Sequence, residues 1–369
     1  MIKDVCGLIV ADDFHVQMGE LARPRALAAI PFAGRYRLID FSISNMVNSG
    51  IRRIAVSTFY KYQSLMDHIG TGSAWDLDRK NGGLFLLPPY VNAESLSGGK
   101  GEDLSGVIAF FRELKERYVI VSGSNFVQNC TYDELLNFHI QRKADITILY
   151  NRDGDRPGEN KLILDMNRLG KVKTVYENPL RPISNRQTLD LMVMERELLV
   201  NILADAVAKG EQNINFNYFP KLCGHLNLYA MEYKQSVLRI NTVQEYFSAT
   251  MQLLEEKTRR EILASDWPIF TKIKDEAPTY YSDASIVSNS MISDGCLIQG
   301  SLDNCMVFRG VTVGPQSKLR NCIVFQDTHI SEACDLENVI IDKDCIIRPG
   351  IKLIGQEAYP VLIGKGAVV

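Results

Sequence analysis

The sequence predicts an α/β fold in which a Rossmann-like domain precedes a C-terminal left-handed parallel β-helix. Up to about residue 240, short apolar runs alternate with amphipathic stretches, the pattern of a mostly parallel sheet with helices on its faces. From Ile286 onward apolar residues recur every six positions, a period that neither a helix nor a hairpin has. Because 369 residues exceed what one core usually serves, we place the boundaries at 1–242, 243–282 and 283–369.

Strands and helices alternate in the first domain. Apolar runs predict the strands, and the amphipathic stretches between them predict the helices. The last of these helices has Thr131 at its start and Glu134 three residues later, which predicts a capping box. The stretch 70–101 is rich in Gly, Pro, Asn and Ser and predicts long loops around one short strand. The predicted strands are 54–58, 84–87, 118–122 and 146–150, and the predicted helices are 62–69, 106–116 and 131–143.

A strongly helical segment over 243–264 is predicted to connect the two domains. Its apolar residues, among them Tyr246, Phe247 and Met251, fall on one side of a single helix. Pro268 and the residues around it end the helical pattern before the next domain begins.

Four runs of apolar residues at a spacing of six predict the β-helix. Each face of a three-sided coil places one such residue on the axis, and slips between the runs are absorbed by turns. Gly295, Gly300, Gly310 and Gly314 fit the tight corners. The runs are Ile286, Ile292 and Ile298; Val307, Val313 and Leu319; Val324, Ile330 and Leu336; and Ile341, Ile347 and Leu353.

The composition argues against several classes of partner. The formal net charge is -3 and the pI is near 6.0, so the basic excess that nucleic acid or an anionic membrane selects is missing. No apolar run has the length of a spanning helix, and the N-terminus enters a strand without a signal-peptide pattern. The eight cysteines include no CxxC pair, so we expect a cytoplasmic protein with buried, reduced thiols.

The segment from Pro31 to Ile51, PFAGRYRLIDFSISNMVNSGI, resembles a motif of the ADP-glucose pyrophosphorylases of the form PFGGKYRIIDFxLSNxxNSGI. The linker WPIFTK, from Trp267, resembles the PIYTK of that family, and the order of the two domains is the same. The resemblance covers essentially the whole chain and implies a nucleotidyltransferase domain. In the family, ATP and glucose 1-phosphate give ADP-glucose and pyrophosphate, with charge neutralised by lysines, an arginine and aspartate-bound magnesium.

The family's first glycine-rich loop is not matched. Where the resemblance places a glycine pair, another glycine and Arg-Leu, this chain has Asp12-Asp13, His15 and Gln17-Met18. Glycines let the backbone approach a phosphate, whereas a carboxylate about 4 Å from a phosphate costs on the order of 4 kcal/mol. We therefore predict that no triphosphate binds here. A merely structural acidic loop or helix cap remains an open alternative for Asp12 and Asp13.

The resemblance also places the family's catalytic groups on residues without their chemistry. The lysine positions fall on Leu27 and Asn178, and the metal-binding aspartates fall on Ser124 and Asn213. The acidic residue of a further family motif, WRDVGT, is replaced by Arg239. Because such groups act as a unit, we expect no catalytic residue, no metal site and no cofactor, with magnesium and ATP held only by a catalytic partner.

Arginines are concentrated around the matched motif, in segments that the resemblance places near the family's activator site and subunit contacts. A guanidinium binds phosphate or sulfate through two parallel hydrogen bonds, so we predict contacts to a sugar phosphate, phosphate or sulfate effector. Surface arginines paired with Asp or Glu remain an equal alternative. The residues are Arg23, Arg25, Arg35, Arg37, Arg52 and Arg53.

The resemblance and its departures predict a non-catalytic or weakly catalytic regulatory subunit of glucose-1-phosphate adenylyltransferase in bacterial glycogen biosynthesis. It would assemble with the catalytic subunit, in a homo- or heterotetramer, and activate it. A free-standing enzyme of low activity and a sugar-phosphate sensor remain alternatives. A more distant alternative is an acyltransferase that uses His329, because hexapeptide acyltransferases carry a catalytic histidine in the coil.

Overall fold

A computed structural model describes residues 4–12, 16–88, 104–152, 161–181, 183–209 and 224–369. The first domain has strands β1 Val5–Val10, β2 Pro31–Phe32, β3 Tyr36–Arg37, β4 Arg53–Ser57, β5 Gly83–Leu87, β6 Tyr118–Ser122, β7 Phe126–Val127, β8 Ile146–Asn151, β9 Leu162–Met166, β10 Val172–Glu177, β11 Gln187–Glu195, β12 Leu228–Glu232 and β13 Leu238–Arg239. The helices are α1 Leu38–Asn48, α2 Gln63–Ile69, α3 Ser105–Glu113, α4 Asp133–Arg142, α5 Arg196–Ala208, α6 Val243–Gln252 and α7 Glu256–Leu263.

A nine-stranded sheet forms the centre of the first domain. Its order is β10-β9-β11-β6-β1-β4-β5, with β8 beside β11 and β12 beside β8. Strands β6, β1, β4 and β5 are parallel, so the carboxyl ends of β1, β4 and β6 meet at one edge. The predicted mostly parallel sheet is confirmed, although the long strand β11 runs antiparallel to its neighbours β6 and β8. The four predicted strands are confirmed to within one residue at each end.

Two helix predictions were wrong in detail. Helix α4 begins at Asp133, and the predicted capping box of Thr131 and Glu134 does not form; instead the hydroxyl of Ser49 accepts a hydrogen bond from the Tyr132 N–H at 2.8 Å. The segment 243–264 is two helices, α6 and α7, separated by consecutive buried leucines. Consecutive positions point about 100° apart on a helix, so burying both leucines favours a turn between the helices.

The second domain is a coil whose three faces are parallel sheets of five strands, consistent with a left-handed β-helix. The sheets are β14-β17-β20-β23-β26, β15-β18-β21-β24-β27 and β16-β19-β22-β25-β28. The strands are β14 Tyr280–Tyr281, β15 Ile286–Ser288, β16 Met291–Ile292, β17 Leu297–Ile298, β18 Ser301–Asp303, β19 Met306–Val307, β20 Thr312–Val313, β21 Lys318–Arg320, β22 Ile323–Val324, β23 His329–Ile330, β24 Asp335–Glu337, β25 Val339–Ile341, β26 Ile346–Ile347, β27 Lys352–Ile354 and β28 Val361–Ile363.

Most of the predicted axis residues lie inside the coil, from Ile298 to Ile347. The first was wrong: Ile286 is 67% exposed, and its neighbour Val287 is the residue that pairs with the buried Leu302. The prediction failed there because one corner of the coil takes five residues rather than six, and this shortens the step from Val287 to Ile292.

The short corner is built by asparagines in the left-handed backbone region. Asn304, Asn321 and Asn338 have φ values of 55°, 49° and 53°, which asparagine tolerates better than most residues. The side-chain amide of Asn304 donates to Oδ1 of Asn321 at 2.7 Å, and that of Asn321 donates to Oδ1 of Asn338 at 3.0 Å. Asn338 closes this amide ladder by donating to the Gly355 carbonyl at 3.1 Å. The ladder explains the slips between the hexapeptide runs.

The predicted corner glycines serve two purposes. Gly295 and Gly310 have φ values of +75° and +67°, where a side chain is strained. Gly300 and Gly314 are required by close approach, because a Cβ atom on Gly300 would lie 2.5 Å from the carbonyl oxygen of Ser317.

The two domains share one apolar core. Helix α6 contributes Tyr246, and the coil contributes Phe308 and Phe325, whose ring centroids are 4.9 Å apart. The Tyr246 ring lies 6.2 Å from that of Phe325, and its hydroxyl donates to the Pro31 carbonyl at 2.7 Å. The predicted connecting helix is therefore packed between the domains rather than a free spacer.

A buried ion pair crosses the same interface. Arg25, from the loop between β1 and β2, donates to both carboxylate oxygens of Asp342 in the coil, at 2.9 and 3.0 Å. The side chains are 3% and 0% exposed, so water screens their attraction weakly. The pair fixes the loop between β1 and β2 against the coil.

No helix in the described ranges has the length and apolar character needed to cross a membrane. The seven cysteines within those ranges are free thiols, and all but Cys130 are buried. Burial raises the pKa of Cys6 to about 12, which keeps its thiol protonated. The predicted burial of the cysteines is confirmed for six of the seven in this part of the chain.

Candidate functional site

The loop that follows β1 is closed by one of its own carboxylates. Oδ2 of Asp12 accepts hydrogen bonds from the Thr58 hydroxyl at 2.8 Å, the Phe59 N–H at 2.7 Å and the Tyr60 N–H at 3.3 Å. Burial raises the pKa of this carboxyl, while the hydrogen bonds oppose the rise. Asp12 therefore ties the end of β1 to the end of β4, a structural role. Asp13 and His15 lie outside the described residues.

Leu27, at the family's lysine position, lies in a short 3-10 helix over Leu27–Ala29 and is buried in the core that the two domains share. A lysine at this position would have to bury its ammonium group, away from water and without a hydrogen-bonding partner, and burying an unpaired charge costs free energy. The surroundings of this position are therefore built for a hydrocarbon.

Ser124 and Asn125, after β6, are occupied by contacts within the fold. The Ser124 hydroxyl donates to the Val10 carbonyl at 2.8 Å. The Asn125 amide donates to Oδ2 of Asp190 at 2.9 Å and to Oδ1 of Asn241 at 3.0 Å. The fold thus brings the family positions after β6 and around β13 together and cross-links them through the neutral side chains of Asn125 and Asn241.

Arg239, in β13, forms an ion pair with Glu245 at the start of α6, and both side chains are largely buried. Glu245 also accepts the Asn241 N–H at 2.9 Å, so the pair locks β13 to the helix that follows. A cation held in this way supplies no ligand to a metal.

Asn178 lies outside this cluster of contacts, at the end of β10. Its Oδ1 accepts the Lys161 N–H at 2.7 Å, its own N–H donates to the Lys161 carbonyl at 2.8 Å, and its φ is +44°. It closes the base of the β9–β10 hairpin. Asn213 falls outside the described ranges.

The arrangement after β1 and β6 does not fit magnesium. Mg²⁺ requires oxygen ligands with at least one or two carboxylates, whereas Ser124 and Asn125 are neutral and already bonded. Among residues that the structure describes, no three His, Cys, Asp or Glu side chains are grouped so that they could hold a metal ion. His329 is exposed on the outer surface of the coil.

A second feature, which we call the basic pocket, lies between the domains. It is a cavity of about 200 Å³ lined by six cationic side chains, with Asp67 and His68 at one side. Gly34, with φ of +78°, forms part of its wall, where a Cβ atom would meet the Ser293 hydroxyl at 2.8 Å. The cationic residues are Arg35, Arg37, Lys272, Lys274, Arg309 and Lys343.

The electrostatics of the basic pocket favour an anion. Burial, followed by the charges of Arg37 and Arg25, lowers the pKa of Lys343 to about 7. Burial also lowers the pKa of Arg37 to about 10, although Asp40 opposes the shift. Arg309 is 7% exposed, and its Nε has no hydrogen-bond partner among the described residues. The positive charges of these side chains lie close together and repel one another, and a bound anion would reduce this repulsion.

The structure separates the six predicted arginines. Arg35 and Arg37 line the basic pocket, and Arg25 lies beside it in the ion pair with Asp342. The other three lie elsewhere: Arg23 pairs with Glu20 on the surface, Arg53 pairs with Glu116, and Arg52 donates to the Val47 carbonyl.

Sequence reasoning missed Lys272, Lys274, Arg309 and Lys343. Lys272 ends the matched PIFTK segment and Lys274 follows two residues later, so their position in the resemblance could have pointed to them. Arg309 and Lys343 carry no such signal, because only the packing of the coil against the first domain brings them to Arg37.

His68 is held at the edge of the basic pocket by Asp40. Its Nε2 lies 2.6 Å from Oδ1 of Asp40, whose other oxygen accepts the Arg37 N–H at 3.0 Å. The ring packs edge-on against Trp75, at a centroid distance of 6.0 Å. Arg37 donates to the Ser64 carbonyl and hydroxyl at 2.5 and 2.9 Å, which fixes its guanidinium.

We expect sulfate binding in the basic pocket to weaken as the pH rises through about 7, because Lys343 then loses the proton that attracts the anion. Sulfate keeps its charge over this range, so the dependence belongs to the protein. One charge about 4 Å away is worth roughly 1 to 4 kcal/mol, so the affinity near pH 6 should exceed that near pH 8.5 by about tenfold.

Calorimetric titration with sulfate at constant ionic strength measures this effect. Lys343→Met should bind weakly at both pH values and show no dependence, whereas a dependence that persists in this variant would contradict the role of Lys343. Equal affinity of the unaltered protein at both pH values would contradict the prediction.

Two family models match the chain. The nucleotidyl transferase model matches residues 17–256, and the model described as GlmU-like, C-terminal hexapeptide matches residues 278–359. The two matches fall on the α/β domain and on the coil.

Three similar proteins illustrate the relationship. Glycogen biosynthesis protein GlgD of Bacillus subtilis is 34% identical over 367 residues, which cover 99% of this chain and 97% of that protein. Glycogen biosynthesis protein GlgD of Geobacillus stearothermophilus is 34% identical over 100% of this chain and 98% of its own length. Glucose-1-phosphate adenylyltransferase of Clostridium novyi is 29% identical over 85% of this chain and 84% of its own length.

Proposed function

The chain belongs to the nucleotidyl transferase family, and from this premise we propose that it is a cytoplasmic glycogen biosynthesis protein that regulates a catalytic glucose-1-phosphate adenylyltransferase subunit. In this role it contributes little or no catalysis of its own. Its similarity over the full length to proteins named GlgD supports this assignment, as does the lower identity to the adenylyltransferases.

The observation that carries the proposal is the closed state of the substrate edge of the sheet. Asp12, Ser124 and Asn125 use their polar atoms on neighbouring groups of the fold. Leu27 is buried, and Arg239 is paired with Glu245. Because transition-state charge must be met by preorganised cations, replacing them with neutral or paired groups removes most of the rate enhancement.

The proposed regulation acts through assembly with the catalytic subunit. A homo- or heterotetramer would let this chain favour one conformation of its partner through contacts that differ between the two states. The basic pocket would bind a sugar phosphate, phosphate or sulfate at the boundary between domains. Such a ligand would bridge Arg37 of the first domain and Lys343 of the coil.

The test is pyrophosphate release from ATP and glucose 1-phosphate with magnesium, using this chain alone, the catalytic subunit alone, and the two coexpressed. We expect this chain alone to be silent and the coexpressed pair to differ from the catalytic subunit by about 5- to 150-fold in rate or substrate affinity, the range of typical coupling energies. Inactivating the catalytic subunit by substitution of its own lysine should abolish turnover of the pair, which assigns all chemistry to the partner.

Two outcomes contradict the proposal. Turnover by this chain alone at an ordinary rate of about 1 to 1,000 per second would make it a free-standing enzyme. Failure of the two chains to co-elute, with no change in rate, would remove the regulatory role. In the second case, tight sugar-phosphate binding that is lost in Arg37→Ala would support the alternative of a sensor, which the basic pocket favours.

A further inference from the structure

A second cavity, of about 600 Å³, lies in the first domain and shares no lining residue with the basic pocket. It is bounded by the start of α4, the ends of β8 and β12, and the segment that follows α7. We call it the Trp267 cavity, because that indole is its largest exposed apolar surface. Its volume is within the range of sites for small organic ligands.

Trp267 is held as a fixed platform. Its side chain is 45% exposed, but its backbone is anchored: the Asn129 amide donates to the Trp267 carbonyl at 2.8 Å, and the Trp267 N–H donates to the Ser265 hydroxyl at 3.2 Å. An exposed indole on a fixed backbone loses little freedom when a ligand stacks on it.

Asn129 itself points to a ligand. It is 6% exposed and lines the cavity, and its Nδ2 donates hydrogen bonds to the Ile262 and Trp267 carbonyls. Its Oδ1 has no hydrogen-bond partner within the described part of the chain. A buried acceptor without a donor is costly, so a donor from a bound molecule or water is expected beside it.

The charges around the cavity are negative on balance. Of its carboxylates, Glu232 pairs with Arg152, whereas Glu261 accepts the neutral Ser236 N–H and keeps its charge. Glu134, Glu261 and Asp266 therefore face one cation, Lys234, which leaves two negative charges in excess among the described lining residues.

The remaining polar groups include both donors and acceptors. Helix α4 begins at the cavity without a side-chain cap, so the N–H groups of Glu134 and Leu135, which line the cavity in its first turn, add donors. A phosphorylated ligand would be repelled by Glu134, Glu261 and Asp266, whereas Lys234 adds a donor that a cationic ligand could not use.

We propose that the Trp267 cavity binds a neutral polyhydroxylated ligand of one or two sugar rings. The apolar face of a ring stacks on the Trp267 indole, the carboxylates of Glu134 and Asp266 accept hydroxyl protons, and Lys234 and the start of α4 donate to hydroxyl oxygens. This combination of an aromatic platform with mixed donors and acceptors suits hydroxyl groups, which do both. The inference does not rest on the proposed role as a regulatory subunit.

The experiment is a titration of the full chain with maltose, followed by intrinsic fluorescence. The chain has two tryptophans: Trp75 is 1% exposed beside His68, and Trp267 faces the cavity, so acrylamide quenches mainly Trp267. We expect a saturable change in emission, with protection from acrylamide, at a dissociation constant of about 0.1 to 10 mM. Glucose 1-phosphate should bind at least about tenfold more weakly.

Variants assign the signal to the cavity. Trp267→Phe should abolish the change in emission, and Glu134→Gln and Asp266→Asn should each weaken binding by about 3- to 10-fold, measured by calorimetry. Ile140→Ala, an exposed position farther along the same helix α4, is the matched control and should bind like the unaltered chain. Thermal melting verifies that each variant is folded.

Three results would overturn the proposal. The first is no saturable change with maltose or glucose up to about 100 mM, where the free energy of binding is negligible. The second is a change that persists in Trp267→Phe, which would place the ligand near Trp75. The third is glucose 1-phosphate or spermidine binding more tightly than maltose, because the cavity would then select a charged ligand rather than a neutral one.

Discussion

Arg25→Ala is expected to lower the free energy of unfolding by about 3 to 5 kcal/mol. The substitution leaves the carboxylate of Asp342 buried at 0% exposure without the guanidinium that donates two hydrogen bonds to it. Desolvation of that charge is then uncompensated, and the loop between β1 and β2 loses this attachment to the coil. The measurement is denaturant unfolding, followed by circular dichroism.

Arg23→Ala is the matched control. It lies two residues away and pairs with Glu20 on the surface, where such pairs contribute about 0 to 1 kcal/mol. The double variant Arg25→Met, Asp342→Leu should recover most of the loss, because it removes both charges together. Equal effects of Arg25→Ala and Arg23→Ala would show that the buried pair is not formed.

Phe325→Ala is expected to cost about 3 to 5 kcal/mol, since a fully buried aromatic ring is removed from the core common to both domains. Its ring contacts those of Tyr246 and Phe308, so the cavity would open between α6 and the coil. The same unfolding experiment should show one transition for the unaltered chain and two for this variant, because the domains would then unfold separately.

Ile286→Ala is the control for Phe325→Ala, because it truncates an apolar residue of the coil that lies outside the shared core. Ile286 is 67% exposed on the first turn, so its truncation should change the free energy of unfolding by less than about 0.5 kcal/mol. Two transitions already in the unaltered chain would contradict the shared core.

The fold was largely predictable because its elements follow local periods. The axis residues of the coil must be apolar on every turn, and a spacing of six made them visible from Ile298 onward. The misplaced Ile286 follows from the short corner, which Asn289 marks on the first turn as Asn304 does on the next. Strand direction has no such local signal, so the antiparallel course of β11 could not be read from its apolar residues.

The candidate site was predictable only in part. The departures from the family motifs at Leu27 and Ser124 were visible because each stands in a recognisable motif, and the structure adds the contacts that these two residues make. Only part of the basic pocket was predicted. Arg35 and Arg37 belong to the matched motif, whereas Lys343 is about 300 residues away in the chain. A pocket between domains depends on how they pack, and one sequence gives no measure of that.

The amide ladder limits where this chain can change in length. The turns from Ser301 to Lys318 and from Lys318 to Asp335 take 17 residues, whereas the turn from Ile286 to Ser301 takes 15, and the Asn289 amide still donates to Oδ1 of Asn304 at 2.8 Å. A turn can therefore gain or lose residues at its other two corners, while the asparagine corner keeps its spacing. The ladder ends at the Gly355 carbonyl, and the next turn takes 22 residues from Ile340 to its partner Leu362. Insertions and deletions in related chains should therefore be rare at the asparagine corner and collect at the other two corners or beyond that carbonyl.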